Sequence, residues 1–478
     1  MASPDLLALS SLPGDAVLAP AASAQRGLWL THLLDPGSTA YHVGHAYQID
    51  GPLDVAALRN ALTHLYARHE ALRTSFVDLD GELHQVIHPR VDDALAVEPI
   101  AAESVADAVR AELDRHFDLG RPPLFRARLF TVDAGACVLT LVAHHMVADA
   151  RSVEVVWEEL AACYRAAVAG REPALPDLPL QYADYAAWEA EWLRSAEYEE
   201  HLRFFRHHLR DAPSAIELPL PVRPVPLWQG GTESMLLPAD DTDGLLQLAR
   251  RQGTTASTVT LAVFAAVLYR WTGQQIVVGI PASLREEAGL DHAVGMFVNS
   301  VAVPTRWDDD APFEEAVRRI HATAVECLAR RRCPFDHLVA DLRPHREAGR
   351  SPIFQVMFSL AGGHTEPQLA GVSVREIHVP VRTAKFELSL DAVLADDRLR
   401  LELEWSAQRC NADAARMFLD HCRIAARFAA RHPSMRVGQW PLVADDSAMD
   451  VAAVLRGDGR LDAPWPALAG SELKEAVR

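Results

Sequence analysis

The sequence predicts an α/β protein built from two units of similar size, and three observations carry that reading. At 478 residues the chain exceeds one typical domain. Strand-like runs alternate with long helix-like segments in both halves. Early in the second half lies a stretch with prolines at 213, 219, 221, 224 and 226, whose rings lack amide donors and oppose regular structure, so it reads as a connector. The expected division is a first unit over residues 1–178, a second over 179–450 with a connector near 211–232, and a C-terminal tail over 451–478.

In the first half, residues 55–68 carry apolar side chains at helical spacing and precede a strand-like run at 73–77. The turn Asp80-Gly81 introduces a strand at 82–87, and 105–117 reads as an amphipathic helix. Strands at 125–131 and 137–143 are expected to be neighbours across the turn Asp133-Ala134-Gly135. Residues 152–169 then form a helix with Val153, Val156, Trp157 and Leu160 on one face. A helical segment over 182–209 opens the second half. After the prolines come a helix at 258–271, strands at 276–280 and 297–303, and a helix at 312–330. Strands at 354–359, 386–393 and 399–405 and a helix at 412–431 complete the series. The large aromatic side chains Trp29, Trp188, Phe297 and Phe358 are expected in the core.

Composition narrows the function. The formal net charge of -19 repels phosphate backbones and disfavours nucleic acid as a partner. The six cysteines include no CxxC pair, so neither a zinc knuckle nor a redox motif is indicated, and reduced thiols are expected. The N-terminus lacks the basic-then-apolar order of a signal peptide. The longest apolar stretch, 259–268, is too short to span a bilayer and reads as a buried helix. A cytoplasmic protein without membrane association is expected.

The segment Ala143-His144-His145-Met146-Val147-Ala148-Asp149-Ala150 follows an apolar strand and precedes a helix. Side chains on such a strand-to-helix turn can face a cleft. Histidine titrates near neutral pH, so one imidazole can take a proton from an attacking amine or hydroxyl. Adjacent histidines point in different directions, and no second His/Cys cluster at ligand spacing supports a metal. Asp149 either orients an imidazole, pairs with an arginine, or caps the following helix.

This segment resembles the HHxxxDG signature of the acyltransferase superfamily that includes chloramphenicol acetyltransferase and nonribosomal peptide synthetase condensation domains. Other segments resemble the condensation-domain motifs, in order. They are Ser23-Ala-Gln25-Arg26-Gly-Leu-Trp29, Arg68-His69-Glu70-Ala-Leu72-Arg73-Thr74-Ser-Phe76 and Tyr182-Ala-Asp184-Tyr185-Ala-Ala-Trp188. Val294-Gly295-Met-Phe297-Val298-Asn299-Ser300, Cys333-Pro334-Phe335-Asp336, Ser351-Pro352-Ile-Phe-Gln355-Val356-Met-Phe358 and Lys385-Phe386-Glu387-Leu388-Ser389 continue the series. The resemblance implies two chloramphenicol acetyltransferase-like lobes forming a V-shaped pseudo-dimer with an active-site tunnel at the interface. It implies an enzyme that transfers an aminoacyl or acyl group from a carrier-protein phosphopantetheine thioester to an amine or hydroxyl, forming an amide or ester. The partners implied are a donor peptidyl or acyl carrier protein and an acceptor, either a small molecule or a second carrier protein. No cofactor is expected on the chain itself; the carrier delivers the phosphopantetheine arm. With both lobes in one chain a monomer is expected, and a free-standing form acting in trans is compatible with the resemblance. A coenzyme A-dependent acyltransferase and a non-catalytic carrier-docking module are the competing readings.

On this resemblance His145, the motif's second histidine, carries the chemistry, as general base or by positioning the nucleophile. His144 is expected to be structural. Asp149 is expected to pair with an arginine, Arg73 before Arg68, with capping of the helix as the competing role. Ala150 stands where the motif has glycine; either the backbone there suits alanine or the acceptor pocket is altered. Asn299 is expected to bond substrate or pantetheine amides, or to be satisfied by backbone groups. The basic cluster Arg203, Arg206, His207, His208 and Arg210 is either a dock for an acidic carrier or a solvated helix face. A cyclising variant would carry aspartates in place of both histidines, and a recruitment-type inactive variant would lack the second.

Overall fold

The computed structural model describes residues 15–440 except 133–135, 214, 286–288, 346, 348 and 363–367. The tail expected over 451–478 and the turn Asp133-Ala134-Gly135 lie outside the described residues.

The chain divides into two compact units. The first comprises Met1–Tyr198, Ser283–Val298 and Thr365–Val379, and the second Glu199–Ala282, Asn299–His364 and Pro380–Arg478. In chain order the first unit contributes β1 (Val17–Pro20), α1 (Ser23–Leu34), β2 (His42–Asp50), α2 (Val55–Arg68), β3 (Thr74–Leu79) and β4 (Glu82–Ile87). It continues with β5 (Ala96–Pro99), α3 (Val105–Leu113), β6 (Phe125–Thr131), β7 (Ala136–His144), α4 (Ala150–Val168) and α5 (Tyr182–Trp192). Next come α6 (Ala196–His208), β8 (Gly230–Leu236), α7 (Ala239–Gln252), α8 (Ala256–Thr272), β9 (Ile276–Ser283) and β10 (Val298–Thr305). They are followed by α9 (Phe313–Leu328), α10 (Phe335–Leu342) and β11 (Val356–Gly362), then β12 (Ser373–Ile377), which returns to the first unit. The strands β13 (Leu388–Ala395) and β14 (Arg398–Ser406) and the helix α11 (Ala412–Arg431) close the second.

The first unit holds a five-stranded sheet in the order β12-β2-β7-β6-β5 and a three-stranded sheet β1-β4-β3. Strand β7 is central in the larger sheet and buried along nearly its whole length. That explains its apolar run, Val138 to Ala143, interrupted only by the buried Thr140: it has no solvent face to alternate toward. Leu139, Leu141 and Val142 are each at most 3% exposed, and each contributes about 1.5–3 kcal/mol by burial. The strands β6 and β7 pair antiparallel, Phe125 opposite Ala143, as the sequence predicts. Helix α4 covers the core with Val155, Val156, Leu160 and Cys163.

The second unit is built on the six-stranded order β10-β9-β11-β13-β14-β8. Helix α8 lies in its core, with residues 258–268 all buried. It starts at Thr255, whose hydroxyl accepts the Thr258 N–H, and stops at Gly273, which adopts φ +64. Among the described residues no helix is long and apolar enough to cross a membrane.

Three expectations about organisation change. The boundary expected after residue 178 falls at Tyr198, because α5 packs against β1 and the 3₁₀ turn Glu70–Arg73 of the first unit. The helical segment expected over 182–209 is two helices, α5 and α6. The proline-rich stretch is no free connector: Ile216, Leu218 and Leu220 are buried in the second unit's core. Alternate side chains at 216, 218 and 220 are buried although the backbone there forms no regular element. Phe297 and Phe358 are core residues, whereas Trp188 is 37% exposed.

Candidate active site

Strand β7 ends at His144, and the chain turns through 145–147 before α4 begins. The turn is held from several sides. The His144 N–H donates to Leu124 O at 2.8 Å and the His145 N–H to Tyr41 O at 2.8 Å. Gln25, from the opening motif on α1, donates its Nε2 to Met146 O at 2.9 Å. Gln25 Oε1 in turn accepts the Ala22 N–H, which fixes the start of α1. Every residue from 137 to 149 is buried except His145, which is half-buried.

His144 is 5% exposed. Its Nδ1 accepts the Met146 N–H at 3.2 Å, so the ring proton sits on Nε2. Burial holds this imidazole well below its usual pKa, and His42, His145 and His32 push the same way. Edge-on rings surround it, with centroids at 6.4 Å for His32, 6.0 Å for His42 and 6.2 Å for Phe117. Burial also lowers His42 to about 4, against the raising effect of Leu113 O, its Nδ1 partner at 3.0 Å. These imidazoles are therefore neutral near pH 7.

Asp149 is 1% exposed and uses both carboxylate oxygens twice. Oδ1 accepts the Ser152 N–H and lies 2.8 Å from the Ser152 hydroxyl. Oδ2 accepts the Phe297 N–H at 3.0 Å and a donor of the Arg285 guanidinium. Pairing and capping are thus not alternatives here: Asp149 is the N-cap of α4 and half of a buried ion pair at once. The partner is Arg285, not Arg73 or Arg68. Arg73 donates to His88 O and lies 3.7 Å from Glu70. Arg68 pairs with Glu159 at 3.0 Å, which also receives His69 at 2.8 Å. Burial alone would raise the Glu159 pKa, but its bonds to His69 and Arg68 outweigh that and lower it.

Arg285 and Phe297 both lie in the segment Ser283–Val298 of the first unit. The Arg285 guanidinium also donates to Ser152 Oγ at 2.8 Å and Ala293 O at 3.3 Å, and stacks 4.4 Å from the Phe297 ring centroid. Ser152 Oγ accepts the Gly295 N–H at 3.0 Å and lies 2.9 Å from Gly295 O. Its single proton goes to Asp149 or to that carbonyl, one at a time. A Cβ on Gly295 would sit 2.0 Å from the Tyr182 ring, so only glycine admits this approach. Tyr182 completes the seam by donating to Met296 O at 3.0 Å.

Two further expectations are settled by geometry. Ala150 is exposed and opens α4 in ordinary helical conformation, so the position does not require glycine's left-handed freedom. Asn299 is not open to substrate. Its Nδ2 donates to Arg331 O at 2.7 Å and Cys333 O at 2.6 Å, and its Oδ1 accepts the Phe335 N–H at 3.1 Å. It fastens the turn between α9 and α10 within the second unit. The basic cluster lies on α6 and beyond, with Arg206 paired to Asp341 and His208 to Glu326. Among the described residues no group of three or more His, Cys, Asp or Glu is placed to hold a metal ion.

Two α/β units, one carrying a histidine pair on a braced strand-to-helix turn with the motif's aspartate bonded into the brace, define a protein of the class that bears the HHxxxD motif. More narrowly, the chain belongs to the condensation domain family, whose model matches residues 17–451. A linear gramicidin synthase of Brevibacillus parabrevis is 34% identical over 446 residues, 90% of this chain and 6% of that protein. Phosphinothricin tripeptide synthetase PhsC of Streptomyces viridochromogenes is 32% identical over 453 residues, 92% of this chain and 42% of that protein. The chain therefore spans less than half the length of these relatives. Among solved structures, the X-domain in complex with OxyB from teicoplanin biosynthesis matches with a TM-score of 0.83 and 26% identity, over 90% of this chain and 96% of that one. The first condensation domain of the calcium-dependent antibiotic synthetase, with a substrate analogue, shares the fold at a TM-score of 0.75 and 23% identity, over 88% and 98%.

Proposed function

We infer that this chain transfers an acyl or aminoacyl group from a carrier-bound phosphopantetheine thioester to an amine or hydroxyl acceptor. The observation that carries the reading is the burial of the strand and turn from 137 to 149 with His145 alone left half-open. A turn held so firmly, presenting one imidazole, suits a proton acceptor that must meet a substrate in fixed geometry. The acceptor nitrogen or oxygen attacks the thioester carbonyl carbon and gives its proton to His145. The tetrahedral carbon then collapses, the C–S bond breaks, and the leaving thiolate takes the proton that His145 received, which restores the neutral imidazole. His144, neutral and bonded to the Met146 N–H, shapes the turn. Asp149, with all its acceptor capacity spent on Ser152, Phe297 and Arg285, holds the turn and takes no proton itself.

Intact-mass analysis tests this. Aminoacyl groups loaded on cognate carrier proteins are offered amine and alcohol acceptors, with wild type and His145→Ala side by side. Product in wild type and a fall of about 10²–10⁴-fold in the variant is the expected result; equal turnover would overturn the role of His145. A second reading, a docking module without turnover, draws support from the similarity to the X-domain found in complex with OxyB. Stable carrier binding with no turnover of any donor would establish it instead. Transfer from acyl-coenzyme A as fast as from the carrier would point to the coenzyme A-dependent class.

A further inference from the structure

The second unit contains a cleft of about 200 Å³ lined only by its own residues. Leu227, Trp228 and Phe386 form its apolar wall, and Lys385, Glu387 and Arg409 are among its polar residues. The Glu387 side chain is 6% exposed. Its Oε1 accepts Arg350 Nε at 2.7 Å and Arg409 Nε at 3.3 Å. Its Oε2 has no hydrogen-bond partner among the described residues. Leaving a buried acceptor unmade costs about 1–3 kcal/mol, and more for a charged group, so such an oxygen marks a place for a donor. Burial raises the Glu387 pKa, with Arg409 and Arg350 opposing.

Arg409 is also largely buried, at 12%. Beyond its Nε bond to Glu387, the nearest carboxylate oxygen belongs to Glu217 at 4.0 Å. Its terminal nitrogens make no hydrogen bond among the described residues, so guanidinium donors remain unspent. Trp228 adopts φ +65, an outlier for a bulky side chain. Its carbonyl accepts the Ala384 N–H at 2.8 Å, which ties that backbone to the segment leading into β13.

An unmade acceptor, an underused guanidinium and an apolar wall lie together. An anion would answer Arg409 but meet Glu387; a cation would do the reverse; a purely apolar molecule would answer neither. We propose that the cleft binds a free zwitterion of amino-acid size, its ammonium received by Glu387, its carboxylate by Arg409 and its apolar side chain by Leu227, Trp228 and Phe386. This site rests on neither the histidine loop nor the acyl-transfer reading.

The test is saturation-transfer NMR and equilibrium dialysis on the full chain with free L-leucine and L-phenylalanine, no acyl donor present. Saturable binding is expected. N-acetyl-L-leucine and L-leucine methyl ester, each lacking one charge, should bind at least about tenfold more weakly, the loss of one charge-assisted bond. Leu227→Trp fills the wall without touching the ion pairs and should abolish binding with an unchanged urea midpoint. Arg409→Gln should remove the difference between the free acid and its methyl ester. No saturable binding at millimolar concentration, equal binding of the blocked derivatives, or undiminished binding by Leu227→Trp would overturn the proposal.

Discussion

Replacing Arg285 with glutamine should loosen the whole turn that carries His145, and the size of the effect follows from the bond inventory. Arg285 and Asp149 are 6% and 1% exposed, and removing one member of such a pair typically costs about 3–5 kcal/mol because the other charge stays buried. Asp149 would still keep the Ser152 N–H, the Ser152 hydroxyl and the Phe297 N–H. The low end, about 3 kcal/mol, is therefore expected. Asp149→Asn preserves the N-cap but strands the guanidinium. In the double variant neither charge remains, so a coupling energy of about 2 kcal/mol is expected. The same cycle between Asp149 and Arg73 should give less than about 0.5 kcal/mol, because Arg73 bonds His88 O instead. Hydrogen exchange on peptides covering 146–156 and 290–298 reads this part of the first unit, which a global unfolding curve of a two-unit chain would blur. Coupling of Asp149 to Arg73 and none to Arg285 would refute the assignment.

Restoring the motif glycine with Ala150→Gly should leave turnover within about twofold and cost no more than about 1 kcal/mol, the helix-propensity difference; a kinetic assay beside a urea curve measures both. Asn299→Ala should cost about 2–4 kcal/mol, since it strands two backbone carbonyls and one N–H, and should appear in the stability of the second unit with the acceptor KM unchanged. Stability should fall as pH drops from neutral. His42 has a folded pKa of about 4, below its unfolded value, so the folded state binds fewer protons between about 6.5 and 4 and loses up to about 3 kcal/mol across that window. Glu159, lowered by His69 and Arg68, loses stability in the same direction at more acid pH. His42→Asn should flatten the upper part of a stability-versus-pH curve.

Much of the fold was legible because period and punctuation are local properties. The run Val138 to Ala143 announced a buried strand, and 259–268 a buried helix. Strand β2 escaped because its residues, His-Val-Gly-His-Ala-Tyr-Gln-Ile-Asp, alternate too weakly to stand out. The histidine turn could be found from neighbouring letters, but its brace could not. Arg285 lies 136 residues from Asp149 in a segment without regular structure, and no spacing rule reaches so far. Arg73 drew attention by sitting in a motif, yet the β3–β4 pairing places His88 O within its reach. For Asn299 the sequence left two roles open, and only the fold could choose between them. An asparagine in a motif invites a substrate role, whereas its amide is consumed by the backbone of its own unit.

The seam between α4 and Ser283–Val298 also bears on the order in which the molecule can be made. Residues 1–198 do not contain the first unit. They lack Arg285 and Phe297, two of the groups that answer the Asp149 carboxylate, and they lack β12, which covers the outer edge of β2. On a ribosome the Asp149 charge would wait without its guanidinium partner until Arg285, 136 residues further on, had emerged, and β2 would present a bare edge until residue 377 had followed. The two units are thus interleaved in time as well as in sequence, and neither can be cut out of the chain with a single scissor stroke.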